Sequence, residues 1–202
     1  MHFAVLKRIA GAWLALTLLG AGFALAQSSP QPTPEATMAP NPDLPVPAPA
    51  GASVELVARP CAYLEGKANR DEIYAAIMGA LATIRAQTDK AGLKPMDHPL
   101  AVFLQADDDG FKYRAEIPID AAPVGKTELS SAVKLGLTPA SKAMRFEHRG
   151  AYDDIDATYE AITAYLDEKG IDAQDVFLEE YLNEMKTSDD PNLQVDIYVM
   201  LK

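Results

Sequence analysis

Apolar positions change period several times along this chain. Ile73, Ile77, Ala80, Leu81 and Ile84 recur at helical spacing and share one face. Asn69-Arg70-Asp71-Glu72 just upstream is an N-cap followed by an acid at the third helical position, a capping-box pattern, and Gly92 supplies the stop. Residues 100–106 then read as a strand, Asp107-Asp108-Asp109-Gly110 as a hairpin turn, and residues 111–119 as a second strand. In that second strand Phe111, Tyr113, Ala115, Ile117 and Ile119 alternate with Lys112, Arg114, Glu116 and Pro118. Upstream of the helix, residues 54–65 are strand-like, interrupted at Pro60-Cys61.

After a looser segment, 120–140, the order recurs. Residues 143–148 are strand-like, Asp153 or Asp154 caps a helix, Ile155, Tyr159, Ile162 and Leu166 share its apolar face, and Gly170 ends it. Residues 176–183 form a strand and 188–192 a turn. In the closing strand Leu193, Val195, Ile197, Val199 and Leu201 alternate with Gln194, Asp196, Tyr198 and Met200. Val102-Phe103-Leu104-Gln105 aligns with Val176-Phe177-Leu178-Glu179, and Glu116-Ile117-Pro118-Ile119 with Asp196-Ile197-Tyr198-Val199. Such triples are common in strands, but the matches fall in order and the element order is the same. The expected fold is α+β: two β-α-β-β units related by a pseudo-twofold, forming an antiparallel sheet with two long helices on one side.

The start of the chain follows none of these periods. Lys7 and Arg8 precede an apolar run from 9 to 26 that closes on Ala24-Leu25-Ala26. A basic start, an apolar core and a small-x-small end make an export signal over 1–26, with a retained membrane anchor as the alternative. Residues 27–52 hold eight of the fifteen prolines and read as an extended, solvated spacer. The folded unit is then 53–202. The expected location is periplasmic or secreted, with no stable membrane insertion once the signal is cleaved.

Composition sharpens this outline. The chain is 202 residues long with a net charge of −11, and the signal and spacer cancel, so the folded unit carries all of it. That acidity excludes an electrostatic nucleic-acid binder. A single cysteine, Cys61, excludes an internal disulfide framework, and three histidines leave little material for a metal site, so no cofactor or metal is expected. Cys61 reads as a small buried hydrophobe. No nucleophile elbow, phosphate loop or zinc-binding helix occurs.

The informative constellation is Phe177, Glu179 and Tyr181. Strand alternation puts the three on one face, with Val176, Leu178 and Leu182 on the other, which suits a helix-covered core. A carboxylate between aromatic rings suits a cationic, partly apolar ligand, because the charge neutralises the guest and the rings offer their faces. A solvated edge strand is the plainer alternative. Tyr152, just before the second helix, and Tyr198, on the closing strand, add pocket-suited tyrosines, whereas Tyr159 and Tyr113 fall on apolar stripes and read as core.

His148-Arg149-Gly150-Ala151-Tyr152 followed by a helix resembles the H-R-G-x-Y element of GyrI-like small-molecule-binding domains. Glu179-x-Tyr181-Leu182 resembles their E-x-Y-L strand, and Asp196-Ile197-Tyr198-Val199 their closing strand. These domains also form the effector-binding parts of Rob-type and some MerR multidrug regulators and share a SOUL-like fold. The resemblance spans about 53–202 and is sharpest after Met144. It implies a groove at the pseudo-twofold with Glu179 as charge partner for a cationic ligand, Tyr181, Tyr152 and Tyr198 as wall residues, and Tyr63 added by the symmetry. Gln105 stands at the position equivalent to Glu179, so one acid is expected in the groove rather than two. DNA binding and gyrase inhibition do not carry over to an exported chain. Two alternatives stay open. One is a hydrolase of small electrophiles in which Glu179 activates water and Tyr181 assists. The other is a structural or interaction protein whose groove is closed by Tyr181 packing on Tyr198. Haem binding would have only His148 as an axial ligand.

Overall fold

The computed structural model describes residues 51–107, 110–184 and 186–202. The segments expected to be an export signal (1–26) and, but for its end, a spacer (27–52), and the central residues of the expected 107–110 turn, lie outside them. The first apolar stretch is split where Pro60, which has no N–H to give a ladder, follows Arg59. The two pieces join different neighbours: β1 (Ala52–Leu56) pairs with β6 (Ser141–Arg149), and β2 (Pro60–Ala68) pairs with β4 (Gly110–Pro118). Asn69 accepts a hydrogen bond from the Glu72 amide at 3.0 Å, and a short 3-10 turn leads into α1 (Ile73–Ala91). Gly92, at φ 70°, ends α1 in a left-handed cap, with Gly92 and Leu93 donating to Asp89 and Thr88 carbonyls. β3 (Leu100–Asp107) and β4 follow as a hairpin. Gly110, at φ 118°, closes it against the Ala68 carbonyl, where a Cβ would collide with backbone.

The segment 120–140 is more ordered than its sequence pattern suggests. It contains a fifth strand, β5 (Lys134–Leu137), which pairs with β2. A four-residue edge strand is too short to show alternation against its loops. α2 (Ile155–Lys169), β7 (Ala173–Tyr181) and β8 (Gln194–Leu201) complete the second unit. Neither Asp153 nor Asp154 caps α2 with its side chain; Asp153 instead accepts from Ser188 Oγ at 3.2 Å.

All eight strands form one antiparallel sheet in the order β1-β6-β8-β7-β3-β4-β2-β5. The order reads the same from both ends once β2, β3 and β4 are matched with β6, β7 and β8. The pseudo-twofold passes between β3 and β7, where Phe103 pairs with Phe177. The two leading strands are exchanged: β1 precedes β2 but adds to β6, while β5 precedes β6 but adds to β2. Each half therefore covers the other's edge, which ties the repeats together.

Both helices pack on the same sheet face. Ile77, Ile84, Ile162 and Leu166 meet Phe146, Ile117, Val195 and Ile197 in the main core. A smaller cluster of Leu100, Val102, Ala143, Leu178 and Tyr198 sits on the opposite face. This corrects the facing of β7. The helix-covered side carries Phe177, Glu179 and Tyr181, not Leu178. Alternation divides a strand into two faces without saying which one a helix covers.

Candidate functional site

The helices begin close to the pseudo-axis, and their first turns, with the sheet beneath, enclose a cavity of about 450 Å³. Ile73 and Tyr74 come from α1, Tyr152, Asp156 and Tyr159 from the start of the second helical segment, and Phe103, Phe111, Phe177 and Glu179 from the strands. Phe103 and Phe177 stack at 4.6 Å across the axis with ring planes 12° apart, and Tyr159 meets Phe177 edge-on at 5.0 Å. Tyr74 leans on Tyr152 at 5.1 Å. The walls are thus mostly ring faces and edges.

Glu179 is 1% exposed. Tyr181 and Tyr152 donate hydroxyls to its Oε2 at 2.6 and 3.1 Å, and Tyr159 donates to Oε1 at 2.7 Å. None of these partners carries a positive charge. Burial disfavours the ionised form, the three hydroxyls favour it, and burial wins: the carboxyl is pushed up to about 7. The same burial, followed by the charge of Glu179, holds the hydroxyls of Tyr152, Tyr159 and Tyr181 well above the ordinary phenol range, so they remain donors. The helix first turns would by themselves favour an anion. Their acids, Asp71, Glu72, Asp153, Asp154 and Asp156, offset that field. Arg70 is held at the rim by Asp156 at 3.4 Å.

Of the residues singled out from sequence, Glu179, Tyr181 and Tyr152 come together here. Tyr198 and Tyr63 do not. Tyr198 lies on the opposite sheet face, where its hydroxyl donates to Glu180 at 2.6 Å, so it neither lines this cavity nor packs on Tyr181. Tyr63 also lies away from the cavity, with the Arg114 guanidinium 4.7 Å above its ring. Gln105 is not the structural counterpart of Glu179. A bulge between Phe103 and Gln105 pairs Gln105 with exposed Lys112, while Ala106, paired with Phe111, packs against the main core. The first half also has Ile77 where the second has Tyr159, four residues into each helix. The acid and its hydroxyl donor therefore occur once in a duplicated frame.

Tyr159 is the residue that sequence reasoning assigned to the core alone. It is 2% exposed and also bonds Glu179. The signal was present in the spacing of Tyr152, Ile155 and Tyr159, which stack on one helix face. Tyr74 and Phe111 enter the wall only through the fold. His148 is buried, with its ring nitrogens bonded to Thr158 Oγ1 at 2.8 Å and the Ala151 carbonyl at 3.0 Å, which fixes the turn before α2. Burial pushes the Cys61 thiol up to about 12, so it stays protonated.

A duplicated α+β sheet with an aromatic cavity at its axis defines a small-molecule-binding module. The chain belongs to the GyrI-like small molecule binding domain family, whose model matches residues 54–202. No curated protein gives a significant match. Among solved structures, the EcmrR C-terminal domain is similar at TM-score 0.63 and 12% identity, covering 76% of this chain and 98% of that one. SAV2435 bound to tetraphenylphosphonium is similar at TM-score 0.51 and 14% identity, over 75% and 93% of the two chains. The chain spans 59% of the EcmrR chain in its DNA complex, at TM-score 0.65 and 12% identity over 78% of this chain.

Proposed function

We propose that this domain binds small lipophilic cations in the cavity at its pseudo-axis, with ionised Glu179 as charge partner, Tyr152, Tyr159 and Tyr181 holding that carboxylate, and Phe103, Phe177 and Tyr74 as walls. The observation that carries it is a fully buried carboxyl in an aromatic cavity, bonded only by neutral hydroxyls among the described residues. Such a group is costly to ionise alone and gains most from a cation that arrives without its water. The complex of SAV2435 with tetraphenylphosphonium supports the ligand class. Titration calorimetry with tetraphenylphosphonium, and with tetraphenylmethane-like neutral analogues made soluble by a remote polyether, separates charge from shape. Binding of the cation with at least tenfold weaker binding of the neutral analogue is expected; equal binding of both removes Glu179 from the reading.

We further propose that residues 1–26 export the domain and that 27–52 space it from its point of attachment or release. The basic start, apolar run and Ala-Leu-Ala end support this. Expression in a Gram-negative host followed by mass measurement of the extracytoplasmic form should give a chain beginning at Gln27. A chain retaining Met1 in the membrane fraction indicates an anchor instead.

A further inference from the structure

The residues around the cavity divide by exposure. Phe103, Phe111, Tyr159, Phe177 and Glu179 are buried and form its floor and walls. Arg70, Asp71 and Asp153 are exposed, Asp156 is half-buried, and these four edge its mouth. Arg70 and Asp71 belong to the turn before α1, Asp153 and Asp156 to the start of the second helical segment, so the mouth is a slot between the two halves. Two contacts cross that slot. Tyr74 packs on Tyr152 with ring centroids 5.1 Å apart. Arg70 Nη1 pairs with Asp156 Oδ2 at 3.4 Å, and the guanidinium carbon stands 5.8 Å from the centroid of the Phe111 ring. Arg70 and Tyr74 are spaced i, i+4, as are Tyr152 and Asp156, so the contacts lie about one turn apart along the slot. They differ in strength. The ring contact is seated on buried Tyr152. The side chains of the ion pair are 45% and 47% exposed, and an ion pair so open to water is opened at small cost. The ionic side of the mouth is therefore the side that yields.

We infer that the Arg70–Asp156 pair is a clasp across the cavity mouth that grades ligands by breadth: a slim cation seats beneath it, whereas a broad one holds it open and forfeits that contact. Arg70 and Asp156 are then specificity-determining residues of the site. The inference rests on the cationic-ligand reading above and refines it. Broad cations such as tetraphenylphosphonium still bind, because Glu179 and the surrounding rings attract them, and the clasp lowers their affinity only by what an exposed pair is worth. Asp71 and Asp153 draw slim and broad cations to the mouth alike, so they add attraction without grading size.

The test uses two permanent monocations, benzyltrimethylammonium with one ring and tetraphenylphosphonium with four. Each is titrated calorimetrically at about pH 8, where Glu179 is largely ionised, into the wild type, Arg70→Gln, Asp156→Asn and the double variant. The two single substitutions change the charge of the mouth in opposite directions. Each such change acts on both ligands, so the ratio of their affinities isolates the clasp. The ratio of tetraphenylphosphonium to benzyltrimethylammonium affinity should rise about threefold in each single variant. It should rise no further in the double variant, because the second substitution has no contact left to break. An unchanged ratio in either single variant, or a further rise in the double, overturns the clasp while leaving cation binding intact. Failure of both cations to bind the wild type overturns the cationic-ligand reading itself.

Discussion

Glu179→Gln is expected to weaken tetraphenylphosphonium binding about a hundredfold at about pH 8, because a buried cation loses the only deeply buried carboxylate lining the cavity among the described residues. The substitution keeps the side-chain volume and leaves an acceptor oxygen for the tyrosine hydroxyls, so charge is the main change. The effect should vanish on acidification. Folded Glu179 titrates at about 7. Below that it is neutral in the wild type also, and the two proteins should converge to within about threefold at about pH 5. A permanent cation favours the ionised form, so wild-type affinity rises as pH rises through about 7 and the variant stays flat. Calorimetric titrations of both proteins at the two pH values decide it. A constant ratio across pH would exclude Glu179 as the titrating charge partner.

The same carboxyl imposes a stability slope of opposite sense from a salt-bridged acid. Its folded value lies above the ordinary 4.5, so the native state holds the proton longer than the unfolded chain does. Unliganded stability therefore falls as pH rises from about 4.5 to about 7 and stays low above that, by about 3 kcal/mol in all. Glu179→Gln removes this part of the slope. Glu116 and Asp156, also held up by burial, contribute in both proteins and cancel in the comparison.

Phe177→Ala should cost about 3–5 kcal/mol of stability, the range for emptying a buried aromatic site. Phe177 is 1% exposed, stacks on Phe103 across the pseudo-axis and takes the edge of Tyr159. The substitution would enlarge the cavity floor, loosen the only pairing between the two halves' central strands, β3 with β7, and free the ring that positions Tyr159 beside Glu179. Urea denaturation followed by far-UV circular dichroism measures it. A loss under about 1 kcal/mol would mean the site collapses readily and the stack is not a structural centre.

Much of this architecture is legible in the chain. Helical spacing at Ile73–Ile84 and Ile155–Leu166, stops at Gly92 and Gly170, and paired strand motifs indicate both units and their duplication. Local propensity and the two periods suffice for that, because each depends on neighbours a few residues away. The E-x-Y strand also points to Glu179, Tyr181 and their shared face. The bulge after Phe103 was not legible, since an extra residue in one strand leaves no trace in the composition of either. It turns Gln105 to the far face, and Tyr63 lies on the far face because its neighbours Ala62 and Leu64 take the helix-covered side of β2. Tyr198 failed for a related reason: its strand is legible, but its side of the sheet is not.

By itself, then, the sequence determined the repeat, the helices, the acidic balance and one carboxylate set among aromatics. Only the tertiary structure decided which face of β7 the helices cover, that Tyr159 rather than Tyr198 completes the tyrosine cluster, and that Glu179 is buried enough to titrate near neutrality. The reason is physical. Periodicity fixes what lies on the same side of one element, whereas burial, hydrogen-bond partners and pKa depend on what other elements bring to that side, here two helix starts and a strand pairing that are distant in the chain.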